Sequence, residues 1–162
     1  DQQKQDPKTG KNGWRYTPFV IEPSAGATRG VLVYLLDAYQ EETITDAKGK
    51  ESQRTVLKLH PRLAPIKAAI LPLVKKDGLP EFARKICQDF LKQGVNVRYD
   101  EQHAIGKRYR KHDEVGTPWC ITVDGQSRDD STVTIRDRDT MEQIRVPMEE
   151  AVALIQKKLM DS

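Results

Sequence analysis

At 162 residues, 31% charged and 37% apolar, the chain has room for one α/β domain of roughly 100–150 residues with a hydrated surface, plus a shorter appendage. A net charge of only +3 announces no polyanionic partner, so such a partner has to be argued from local clusters. No run approaches the about 20 apolar residues of a membrane span, and no secretory leader or membrane partner is expected. Cys87 and Cys120 lack CxxC spacing, and His60, His103 and His112 lack ligand spacing. Neither a redox pair nor a metal is expected, and two buried thiols is the better reading. The chain opens on Asp1 without Met, which points to a fragment of something longer.

In chain order, residues 1–13 are polar and Lys-containing, a mobile loop by composition. Trp14 to Ile21 reads as a strand, with Pro18 arguing for an edge position. EPSAGATRG is a turn into a helix over Arg29–Gln40, where Val31, Leu32, Leu35, Leu36 and Tyr39 fall near helical spacing. Residues 41–54 lose apolar periodicity and read as a surface loop or linker. HPRLAP, with two prolines, places a domain boundary near residue 60.

Beyond it the pattern alternates. KAAILPLV suits a buried parallel strand. Leu79–Gln93 is a helix with Pro80 in its first turn, an apolar face at Phe82, Ile86 and Phe90, and Gly94 as its stop. VNVRYDE is a strand, Ala104–Val115 a basic helix and Trp119–Val123 a strand. A polar loop, a hairpin of residues 131–137 and 142–146, and a closing amphipathic helix from Pro147 complete the chain. The expected fold class is α/β, with a mixed, mainly parallel sheet of about five strands and three helices.

The charge gathers between His103 and Arg138. Lys107, Arg108, Arg110 and Lys111 surround Tyr109, and Arg136, Asp137, Arg138 and Asp139 alternate at a strand end. A cationic helix feeding a β-pair that ends in arginines fits a nucleic-acid surface better than a small-molecule pocket. Each element also has a plainer reading. Trp119 starts a buried strand and suits the core, KRYRK suits a solvated helix face, and RDRD suits a surface ion ladder. No nucleophile elbow, phosphate-binding glycine loop or HExxH is present. Asp113 and Glu114 are placed to orient the basic cluster through ion pairs.

IGKRYRKHDEVGTPWCITVDG followed by TVTIRDRDTMEQIRV resembles the anticodon-binding domain of class II aminoacyl-tRNA synthetases, within them the dimeric glycyl-tRNA synthetases. VIEPSAGATRGVLVYLL resembles the closing motif of the same enzymes' catalytic domain. The resemblance implies a catalytic-domain remnant and linker over 1–59, then an anticodon-binding domain over 60–162. It implies an RNA-binding role for Lys107, Arg108, Arg110, Lys111, Trp119, Arg136, Asp137 and Arg138. Lysines and arginines of the helix would meet phosphates, and RDRD would meet unpaired base edges. It further implies a catalytic Arg29 lying against ATP, Glu22 and Ser24 holding glycine, and Gly26 leaving room for the ligand.

Two earlier motifs of such enzymes are missing. The fragment is therefore expected to bind glycine tRNA as a monomer without activating glycine, and to hold no cofactor of its own. The parent is expected to be a cytoplasmic homodimeric glycine–tRNA ligase using ATP with Mg. A competing reading is an accessory module that uses the same domain for protein association without charging tRNA. A small α/β enzyme is a third, disfavoured by the lack of a convergent polar constellation.

Overall fold

The computed structural model describes residues 5–13, 18–45, 49 and 51–162. The chain divides into two compact units, Asp1–Gly30 and Val31–Ser162. In the first, Asp6 closes a tight turn: its carboxylate accepts from the Lys8 amide and the Thr9 hydroxyl, both at 2.8 Å. The expected strand over 14–21 falls partly outside the described residues. Its described part, Pro18–Ile21, joins no ladder and is exposed. Proline removes the donor a ladder would need, and Phe19, Val20 and Ile21 are exposed.

Helix α1 (Ala27–Ala38) ends two residues earlier than expected, because Tyr39 passes straight into a strand. Residues 41–54 are not a loop. Those described, 41–45 and 51–54, lie in two antiparallel strands, β1 (Tyr39–Thr45) and β2 (Glu51–Leu57), in register from Tyr39–Leu57 to Thr45–Glu51. Along β2, burial alternates, with Ser52, Arg54 and Val56 turned inward. A guanidinium at an inward position breaks the apolar alternation by which a half-buried strand is recognised.

The remaining strands are β3 (Ala68–Pro72), β4 (Val97–Tyr99), β5 (Trp119–Val123), β6 (Thr132–Asp137) and β7 (Gln143–Pro147). They form one sheet in the order β4-β3-β5-β6-β7. β3 pairs in parallel with β4 and β5, while β5–β6 and β6–β7 are antiparallel. The sheet is mixed as expected, but parallel pairing is half of it rather than the larger part. Strands β3 and β5 are buried at every position, which is why both read as unbroken apolar runs.

One face is covered by α2 (Leu79–Lys92) and α5 (Met148–Asp161). They bring Leu79, Ala83, Ile86, Phe90, Ala151, Val152 and Ile155 onto Ile70, Ile121, Val133 and Ile135. On the other face α3 (Ile105–Glu114) offers Ile105 and Tyr109 to Ala69, Leu71 and Cys120. Burial pushes the Cys120 thiol up to about 12, and both cysteines are free. The expected polar loop after β5 contains a short helix, α4 (Gly125–Asp130), started by a reciprocal cap between Asp124 and Ser127.

Candidate nucleic-acid interface

Helix α3 carries the basic cluster, and its 3.6-residue period sends successive cations in different directions. Lys107 and Arg110 face solvent, and Lys111 is half-buried. Lys111 Nζ reaches Asp100 Oδ2 at 2.6 Å. Arg110 Nη2 donates to Ser52 Oγ at 3.3 Å.

Arg108 does not face solvent. It is 2% exposed, and its Nη1 donates to the carbonyls of Pro72 (2.7 Å) and Asp100 (3.1 Å), its Nη2 to Leu73 O at 3.2 Å. These carbonyls lie at and just beyond the carboxyl ends of β3 and β4, so Arg108 ties two strand ends to α3 with its guanidinium turned inward. Burial lowers its affinity for its proton, without neutralising a guanidinium.

His112, next to this cluster, is 1% exposed. Its Nδ1 lies 3.3 Å from Thr117 Oγ1, and its Nε2 lies 3.8 Å from Asp100 Oδ2. Nε2 has no hydrogen-bond partner among the described residues. Burial brings its pKa down to about 4, against the pull of Asp100. Burial raises the Asp100 carboxyl, but the Lys111 ammonium and the Gln102 amide outweigh it and hold the group below the usual carboxylate range.

Arg136 and Arg138, expected to read bases, are also interior, at 6% and 2% exposure. Arg136 clamps Asp113 with two bonds, Nη1–Oδ1 at 2.9 Å and Nη2–Oδ2 at 3.1 Å, and its Cζ lies 4.9 Å over the Tyr109 ring. Arg138 donates to Gly116 O at 3.0 Å and clamps the neighbouring Asp139. Arg54 completes the network. Its Nε meets Asp113 Oδ2 at 3.0 Å, its Nη1 meets Glu42 Oε2 at 3.0 Å, and its Nη2 meets Arg138 O. A charge in an interior costs several kcal/mol unless it is paired, and these side chains are held by partners instead of being displayed.

Trp119, 4% exposed, belongs to the core with the other inward residues of β5, the plainer of its two sequence readings. Its indole N–H donates to Asp137 Oδ2 at 3.2 Å. The other Asp137 oxygen accepts from the amides of Asp139 and Thr140, so this carboxylate shapes the β6–β7 turn. One edge of the indole borders a cleft of about 170 Å³, shared with Ile144, Glu142 and Lys158.

In the first unit Glu22, Ser24, Gly26 and Arg29 are all exposed. A Cβ at Gly26 would meet only Arg29 Cβ, at an ordinary 3.6 Å. Among the described residues no three His, Cys, Asp or Glu side chains come together as a metal-ligand set. Three partners of these side chains escaped sequence reasoning: Arg54 and Glu42, both in the stretch read as a loop, and Asp100, read only as part of the strand VNVRYDE. Asp113 was expected to orient arginines, and it does so for Arg54 and Arg136 rather than for those of its own helix.

A half-parallel sheet with two helices on one face and a basic helix on the other defines an α/β domain. Residues 67–158 match the model of the anticodon binding domain family, and the chain belongs to that family. Its relatives include the glycine–tRNA ligase of Rhodopirellula baltica, 57% identical over 90% of this chain and 27% of that protein. The glycine–tRNA ligases of Clostridium perfringens (53%, over 95% of this chain and 32% of that protein) and Treponema denticola (51%, over 90% and 32%) are similar in the same way. The chain thus spans about three-tenths of the length of these curated relatives.

Proposed function

We propose that the chain is the tRNA anticodon-binding module of a glycine–tRNA ligase. The observation that carries this is identity of 57% to such a ligase across 90% of the chain, coupled with the anticodon binding domain match over 67–158. An anticodon is an unpaired loop, held through its phosphates and read on its base edges. With Arg108, Arg136 and Arg138 interior, phosphate contact falls to Lys107, Arg110 and Lys111 on the outer side of α3. Arg98, exposed on the edge strand β4, joins them. Tyr109 then supports the surface from beneath rather than stacking on bases, while Trp119 packs on the opposite face of the sheet and Asp137 holds the β6–β7 turn.

In the whole protein, residues 1–59 are the end of the catalytic domain and a linker, and residues 60–162 form the anticodon-binding domain. Arg29 lies against ATP, with Glu22, Ser24 and Gly26 around glycine. ATP and glycine are substrates of that larger, cytoplasmic and dimeric enzyme. No described helix is long and apolar enough to cross a membrane.

Binding of the 162-residue chain to glycine tRNA, against the same tRNA with a substituted anticodon, tests the reading. Preference for the native anticodon supports it, and equal binding or none contradicts it. Glycine-dependent ATP–pyrophosphate exchange is expected to be absent in this chain alone.

A further inference from the structure

Strand β2 lies along α3 and meets it at three points. Ser52 accepts from Arg110, Arg54 donates to Asp113, and Leu57 presses on Gly116 just beyond the helix. Gly116 has φ 79°, and a Cβ there would lie 3.0 Å from Leu57 O, so a larger residue is strained between strand and helix end. The middle point is the strongest. The Arg54 fork holds Glu42 on β1, Asp113 on α3 and the Arg138 carbonyl just past β6. Asp113 in turn holds Arg136 on β6.

Apolar packing of α3 on the sheet is slight, with Ile105 and Tyr109 against Ala69, Leu71 and Cys120. Charged side chains therefore do much of the work of setting the helix. Buried ion pairs add little net stability, because desolvation offsets their attraction, and their better-attested use is to fix one geometry among several. The β1–β2 pair also lies outside the residues matched to the family, 67–158.

We propose that Arg54 is the positioning residue for the RNA-facing helix. From the β1–β2 pair it braces α3 against β6, and so sets the angle at which Lys107, Arg110 and Lys111 meet the anticodon loop. This rests on the anticodon-binding reading of α3. Arg54 touches no RNA itself. A lysine cannot replace it, since one ammonium cannot satisfy three acceptors held in a planar fork.

The test uses the 162-residue chain with Arg54→Ala, Arg54→Lys and, as control, Gln53→Ala on the outer side of the same strand. Amide hydrogen exchange is expected to quicken at least about tenfold across residues 105–114 in both Arg54 variants, with α2 and β3 still protected, as a local opening. In the same variants the Kd for glycine tRNA rises about tenfold, a change of about 1.4 kcal/mol. Preference for the native anticodon shrinks with it. The salt dependence stays as steep as in the unmutated chain, since no phosphate contact is removed. Gln53→Ala changes none of these.

Unchanged exchange in α3 overturns the brace, and loosened α3 with unchanged tRNA affinity overturns the positioning role. Rescue by lysine overturns the fork argument. If the unmutated chain binds no tRNA, the anticodon reading fails, while the exchange measurement still decides whether Arg54 holds α3. If Arg54→Ala unfolds outright, Glu42→Gln, which weakens the outer arm of the fork together with the Glu42–Lys58 pair, carries the same two readings at smaller amplitude, with Lys58→Ala as its control.

Discussion

Arg136 and Asp113, on different layers of the domain, form a two-bond clamp at 2.9 and 3.1 Å, with side-chain exposures of 7% and 2%. The clamp takes a strand-end arginine that would otherwise be available to RNA and makes it part of the frame. Burial opposes the charge on Arg136, but the Asp113 carboxylate more than compensates and leaves the guanidinium holding its proton more tightly than usual.

Asp113→Ala strands two buried guanidinium groups, Arg54 and Arg136. Removing one partner of a buried pair typically costs about 3–5 kcal/mol, and urea unfolding is expected to show a loss of that order. Replacing all three residues with apolar side chains of similar volume recovers most of it, because the desolvation cost disappears with the charges.

Arg108→Lys keeps the charge and loses the geometry. Three carbonyls, of Pro72, Leu73 and Asp100, share one guanidinium, and an unpaired buried acceptor costs about 1–3 kcal/mol. The substitution is expected to lower the unfolding midpoint well before it changes the salt dependence of tRNA binding. A phosphate-contacting arginine would behave the other way round.

His112 makes stability pH-dependent. Its folded pKa, about 4, lies below the ordinary 6.5, so the unfolded chain binds the extra proton first. As pH falls from about 6.5 toward 4, stability drops by about 1.4 kcal/mol per unit, roughly 3 kcal/mol in all, and below 4 this contribution levels off. Above 6.5 histidine is neutral in both states and contributes no slope. Urea titrations at pH 7 and pH 5 are expected to show the loss, and His112→Gln to flatten it. Asp100, held down by Lys111, adds its own loss only as pH falls below the usual carboxylate range.

Lys107→Ala removes an exposed cation with no part in the interior network. It is expected to weaken binding of native and substituted tRNA alike, and to reduce the slope of log K against log salt by about one. Fluorescence anisotropy over a salt series measures this. Arg138→Ala, by contrast, should register first in thermal unfolding.

Much of the sheet was legible. β3 and β5 announced themselves as apolar runs, α2 was bounded by Pro80 and Gly94, and the β6–β7 hairpin was visible as two apolar stretches around DRDTM. What stayed hidden were charges with interior addresses. In the string KRYRK nothing separates Arg108, which faces inward, from Lys107 and Arg110, which do not. Only the helical phase shared by Arg108 with His112, and by Ile105 with Tyr109, distinguishes the inward faces. Arg54 disguised β2 as a linker because it occupies the inward phase set by Val56 two residues later. α4 was masked by polar residues, though Asp124 and Ser127 at capping distance carried its signal.

The most direct test of the central claim is the dissociation constant of this chain for glycine tRNA against the same molecule with one base of its anticodon substituted. A mismatched base typically costs about 1–3 kcal/mol where base edges are read, by analogy with DNA readout. The account predicts that the substitution weakens binding by at least about tenfold at constant salt. Equal constants for the two tRNAs would contradict it.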